Sequence, residues 1–84
     1  MIRLYTIEHC PYCKQLKEMY TKEGLEFVEI DVNKPENEAE WKNLHEFTGS
    51  DDVPIVKVGQ RVLVPNTSFK SINEAFDLTK KFLV

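Results

Sequence analysis

Two cysteines three positions apart, Cys10 and Cys13, are the whole sulfhydryl content of this 84-residue chain. A disulfide between them closes too short a loop to hold a fold together by restricting the unfolded chain. Their use is therefore chemical or metal-binding. A small domain of an oxidising compartment usually carries four or six scattered cysteines, so a single close pair fits a reducing one. Residues Ile2 to Thr6 set Ile2, Leu4 and Thr6 against Arg3 and Tyr5, the period of a strand. Beyond Pro11, Leu16, Met19 and Tyr20 recur at helical spacing, with Lys14, Lys17, Glu18 and Lys22 outside and Gly24 at the end. The pair thus sits where a strand stops and a helix starts, and Pro11 suits the first helical turn because it has no amide to lose there. Unpaired amides and the positive helix end favour a thiolate at that point, which makes Cys10 the nucleophile. Cys13 lies about one turn further into the helix, placed to attack a mixed disulfide formed on Cys10 and release the substrate.

Two plainer readings compete. The cysteines could be small buried apolar groups, but a strand-to-helix turn is a poor place to bury two thiols. Cys10, Cys13, His9 and His45 formally offer zinc two sulfurs and two nitrogens. His9, however, adjoins one would-be ligand, and His45 falls on the stretch carrying Trp41 and Leu44, where a surface histidine is the simpler assignment. No bound metal is expected.

The elements that position the pair follow from periodicity. Glu26 to Asp31 reads as a second strand, joined to the first by a helix, so a right-handed crossover and parallel pairing are expected. From Pro35 the chain is acidic, and Trp41, Leu44, Phe47 and Thr48 recur at helical spacing until Gly49. Ile55 to Val58 and Val62 to Val64 flank Gly59-Gln60-Arg61 as a hairpin. Ser71 with Glu74 matches a capping box, opening a last helix from Ser71 to about Phe82. The order is βαβαββα. Trp41, Phe47, Phe76 and Phe82 read as core, and Tyr5 as core or groove.

Length and composition bound the rest. The size allows one domain, residues 1–84, and 42% hydrophobic with 30% charged residues is a globular balance. A net charge of -3 lacks the basic field that carries nucleic-acid binding. No apolar run approaches a membrane span, and the first ten residues do not read as a leader. A soluble, monomeric, cytoplasmic protein is expected. Charge is uneven: residues 25–53 hold 2 basic and 9 acidic groups, against 5 and 2 in residues 54–84.

Cys10-Pro11-Tyr12-Cys13, preceded by Leu4-Tyr5-Thr6 and followed some forty residues later by Thr48-Gly49 and Val53-Pro54, resembles the glutaredoxin family over essentially the whole chain. The resemblance implies an α/β, thioredoxin-like fold, a four-stranded mixed sheet in the order 2-1-3-4 with helices on both faces. It implies a cis peptide at Val53-Pro54 facing the cysteines. A proline just before a strand leaves the preceding backbone free to pair with an extended substrate, and cis bonds are nearly confined to such sites. It further implies a thiol-disulfide oxidoreductase that takes electrons from glutathione, holds no cofactor, and reduces protein disulfides and glutathione mixed disulfides through Cys10 and Cys13. Tyr12, Val53, Pro54, Thr67 and Ser68 would then line the glutathione or substrate groove, with Lys14 and Lys17 adding electrostatic help.

The chain departs from that pattern in three places. Glutaredoxins commonly have a lysine three residues before the first cysteine, a threonine before Val-Pro, and a Gly-Gly-x-Asp-Asp segment after the last strand. Here stand Ile7, Asp52 and the run from Val64 to Phe69. Asp52 facing the groove would repel an anionic tripeptide, although Thr67, Ser68 and the amides leading to Ser71 could still cradle a carboxylate. Thr67-Ser68-Phe69-Lys70 is similar to a segment of NrdH-type redoxins, which draw electrons from thioredoxin reductase and serve ribonucleotide reductase. That is the alternative reading. A third, an iron-sulfur binding module using Cys10 and glutathione, conflicts with Pro11, where such members usually carry glycine or serine.

Overall fold

The computed structural model describes residues 1–83. Its elements are β1 (Ile2–Thr6), α1 (Pro11–Lys22), β2 (Phe27–Asp31), a short 3-10 turn (Pro35–Asn37), α2 (Glu38–Thr48), β3 (Ile55–Val58), β4 (Arg61–Leu63) and α3 (Ile72–Phe82). The expected order holds. The four strands form one sheet in the order β2-β1-β3-β4. β1 pairs parallel with β2 from Ile2 opposite Phe27 to Thr6 opposite Asp31, and antiparallel with β3 from Ile2 opposite Val58 to Tyr5 opposite Ile55.

Alternation along β1 builds a core on each side of the sheet, because successive side chains point to opposite faces. Ile2 and Leu4 join Leu16 and Tyr20 of α1, Val56 and Val58 of β3, and Ile72, Ala75 and Phe76 of α3. Tyr5 goes the other way, into a smaller cluster with Ile30, Val32, Leu44 and Ile55, against which Trp41 packs. Tyr5 is therefore core, 2% exposed, and its hydroxyl donates to Glu40 of α2. The same carboxylate takes Nε and Nη2 of Arg3 at 2.7–3.1 Å. Burial opposes ionisation of Glu40, yet the bonds from Tyr5 and Arg3 outweigh it and hold the carboxyl below its ordinary range. This network ties α2 to the sheet.

Phe47 departs from expectation: it is 78% exposed. At about 100° per residue, Trp41 and Thr48 both lie to one side of Leu44 around the helix and Phe47 lies to the other, away from the sheet. Thr48 takes the inward position, its hydroxyl donating to the Leu44 carbonyl at 2.9 Å. The helix stops where expected, at Gly49, whose φ of 70° is left-handed and whose amide reaches the His45 carbonyl at 2.7 Å. His45 turns to this end of the helix, its Nδ1 2.9 Å from Asp51 Oδ1 and 3.1 Å from the Ser50 carbonyl. No helix among the described residues is long and apolar enough to cross a membrane.

α1 and α3 are joined by a buried hydrogen bond, 2.8 Å between the Tyr20 hydroxyl and Thr79 Oγ1. Thr79 already donates to the Ala75 carbonyl at 2.8 Å, so Tyr20 is the donor and Thr79 the acceptor. Burial pushes the Tyr20 hydroxyl up to about 12. Tyr20→Phe should destabilise the fold by about 1 kcal/mol, the net worth of one such bond, read as a lower urea midpoint with unchanged slope. An unchanged midpoint would show that the bond contributes nothing.

Candidate functional site

Cys10 caps α1. Its backbone is extended (φ -97°, ψ 107°), its carbonyl accepts from Lys14 N at 3.0 Å, and its Sγ accepts from Cys13 N at 3.2 Å. A sulfur thereby takes the place that a serine or aspartate oxygen usually takes at a helix start, against one of the free amides. Pro11 stands in the first turn and gives up no bond. His9 supplies the bend out of β1, with φ of 60°, a left-handed conformation that histidine visits more readily than most side chains.

One turn on, Cys13 is only 1% exposed. Burial first, then the bond and charge from Cys10, push its thiol up to about 12, against a smaller pull from the Ile7 backbone and from Lys17. Two of those upward influences belong to Cys10 in its thiol or thiolate state. The two cysteines thus differ in burial, Cys10 partly exposed and Cys13 enclosed.

Two grooves meet near this helix end. One, of about 400 Å³, is lined by Tyr12, Asp52, Val53, Pro54, Pro65, Asn66, Phe69, Lys70, Ser71 and Ile72. The Val53-Pro54 bond is cis, as the resemblance implied. Tyr12 at 63% exposure forms the outer wall, and Asp52 does face this space. The second groove carries both cysteines with Ile7, His9, Lys17 and Glu29. There Glu29 accepts from Lys17 Nζ at 2.9 Å and from buried Thr6 Oγ1 at 2.8 Å. Burial works against Glu29, but these two bonds hold its carboxyl below the ordinary range. The Lys17 charge is thus partly spent on Glu29 rather than offered to a ligand.

Of the residues expected at the groove, Tyr12, Val53 and Pro54 come together and Thr67 and Ser68 do not. The segment after β4 folds on itself: Ser68 N donates to the Val64 carbonyl at 2.8 Å, and Ser68 Oγ accepts from Val64 N at 3.0 Å. That consumes Ser68 and faces it toward Gln60, Arg61 and Phe82. Thr67 is exposed in the same turn. Pro65, Asn66, Phe69 and Lys70 take the wall instead, Asn66 holding a φ of 65° that lets the chain reverse. Which side chains of this segment face inward depends on contacts the sequence does not show.

The carboxylate cradle expected before Ser71 is also altered. Ser71 Oγ accepts from Glu74 N at 3.1 Å, but Glu74 Oε1 accepts from Lys70 N at 2.6 Å rather than from Ser71 N. The capping box is shifted by one residue, and the protein's own carboxylate occupies an amide beside the groove.

Three comparisons bear on this geometry. The family model described as Glutaredoxin matches residues 2–63. A glutaredoxin of Pseudomonas aeruginosa is 38% identical over 58 residues, 68% of this chain and 66% of its own. Among solved structures, the glutaredoxin of Archaeoglobus fulgidus superposes with a TM-score of 0.69 at 22% identity, covering 98% of this chain and 84% of that one. A buckwheat glutaredoxin in complex with glutathione gives 0.70 at 17%, covering 95% and 68%.

Iodoacetamide at pH 7 should label native protein at Cys10 alone and both cysteines in urea, because Cys13 is enclosed and holds its proton. Peptide mass mapping reads the result; labelling of native Cys13 at a comparable rate would reverse the roles. The same burial sets an alkaline limit. The unfolded chain releases the Cys13 and Tyr20 protons near 9 and 10, whereas the folded chain keeps both to about 12. Stability should be full below pH 9 and fall by on the order of a few kcal/mol toward pH 12. Urea midpoints across that range measure it, and Cys13→Ala should flatten the decline.

Proposed function

Because this chain belongs to the glutaredoxin family, whose members are generally thiol-disulfide oxidoreductases, we propose that it is a dithiol enzyme reducing protein disulfides and glutathione mixed disulfides. The observation that carries the reading is the partly exposed Cys10 at the head of α1, its sulfur capping the helix, with the enclosed Cys13 one turn below it. The Cys10 thiolate attacks one sulfur of the substrate disulfide, forming a Cys10 mixed disulfide and expelling the other sulfur as a thiolate that takes up a proton. Cys13 gives up its proton and attacks Cys10 Sγ. The Cys10–Cys13 disulfide forms, the second substrate thiol leaves, and two electrons have passed from the cysteine pair to the substrate. Two further thiols, or a reductase, restore the pair. The backbone at Val53, ahead of cis Pro54 and in the groove that Tyr12 of α1 also lines, suits an extended substrate added as a strand.

Glutathione is the proposed reductant, supported by the family and by the complex in which the buckwheat relative was solved. A second reading, in which thioredoxin reductase supplies the electrons and ribonucleotide reductase takes them, is favoured by Asp52 in the groove and by Glu74 on the Lys70 amide. Either role suits a reducing compartment such as the cytoplasm. Turnover of a disulfide substrate with glutathione and glutathione reductase, set beside turnover with thioredoxin reductase, separates the two.

Cys10→Ser should abolish reduction of both substrate types. Cys13→Ser should keep part of the activity on glutathionylated substrates, which needs only attack by Cys10, and lose reduction of protein disulfides, which needs the second thiol. Equal loss of both activities in the Cys13 variant would count against the glutathione route and for the second reading.

A further inference from the structure

The groove beside Val53 carries two charged side chains, Asp52 and Lys70. Their formal charges cancel, so the balance is decided by what lies just behind them. Glu74 Oε1 sits 2.6 Å from Lys70 N, which places a third charge, negative, directly against the Lys70 backbone. The Ser71 hydroxyl accepts from the Glu74 amide at this helix start. An incoming carboxylate would meet an anion of the protein's own, Glu74, against the backbone that leads into α3. Asp52 has no such counterpart: its amide is held by Ser50 Oγ at 3.1 Å, and its carboxylate is free to face the groove next to Val53, where a substrate backbone would pair.

We propose that this groove takes an extended protein segment bearing a basic residue next to its disulfide, in preference to an anionic peptide, with Asp52 as the specificity-determining residue. The inference rests on the thiol-disulfide reading above and names the substrate class of the same site. Neutral walls from Tyr12, Pro54, Pro65 and Phe69 accept the aliphatic stem of a lysine or arginine, whose head then reaches Asp52. The exposed pairing is weak and salt-sensitive, so it biases rates rather than forbidding substrates.

The test uses two disulfide-linked peptides that differ only in lysine or glutamate beside the cysteine, reduced by the full chain with dithiothreitol as recycling reductant. At low ionic strength the lysine peptide should show about fivefold higher kcat/KM, an attraction exchanged for a repulsion of ordinary surface size. The difference should lie in KM and shrink in 0.5 M salt. Asp52→Asn should remove most of it by slowing the lysine peptide and speeding the glutamate one. Lys70→Gln should widen it. Equal kcat/KM for the two peptides in the wild type, or a preference that survives Asp52→Asn, overturns the inference while leaving the cysteine chemistry intact. Reduction of neither peptide, or reduction that persists in Cys10→Ser, overturns the oxidoreductase reading and this inference with it.

Discussion

A helix must do something with its first amides, and at the head of α1 that requirement is met by sulfur. Cys10 Sγ accepts from Cys13 N while the Cys10 carbonyl accepts from Lys14 N, so one residue closes the helix start and presents the reactive atom. The other features are arranged around this. β1 must end at Thr6 for the chain to turn at His9, α1 must lie across the sheet for Cys13 to be enclosed, and β3 must pair with β1 for Val53-Pro54 to share a groove with Tyr12. Fold and chemistry share a single junction.

The two faces of the sheet divide the labour. The larger core under α1 and α3 is almost wholly apolar, with one internal polar link between Tyr20 and Thr79. The smaller core under α2 is closed by Glu40, which gathers Tyr5 and Arg3 from the central strand. Glu40 anchors the face away from α1, Glu29 anchors α1 to the sheet through Lys17 and Thr6, and burial of Cys13 pushes its thiol up to about 12. A dry surround is what separates the two sulfurs chemically, since by sequence they are only three residues apart.

Much of this was readable in the residues because local rules and tertiary packing agree. Alternation marked β1, glycines marked the ends of α1 and α2, and the Gly59 turn marked the hairpin, each through a preference that operates within a few residues. The cis bond at Val53-Pro54 came from family resemblance rather than from any local rule. Where packing alone decides, the sequence was silent or misleading. Phe47 fits the helical spacing but lies one step off the buried face, and Glu40, spaced 35 and 37 positions from its partners, gives no local sign of its role. Thr67 and Ser68 were placed in the right segment and on the wrong side of it, since the fold of that turn rests on hydrogen bonds back to Val64.

The sheet order carries a consequence for how the chain acquires its structure. β1 is the first strand made, yet it lies inside the sheet, bonded to β2 about 25 positions away and to β3 50 or more away. A nascent chain ending near residue 50 holds β1, α1 and β2 and already exposes both thiols, while the strand that completes β1 and the proline that walls the groove are still to come. The slowest contacts to form are those of greatest separation along the chain. Both sulfurs thus precede the wall that faces Tyr12, and only the docking of β3 brings Val53-Pro54 to that groove.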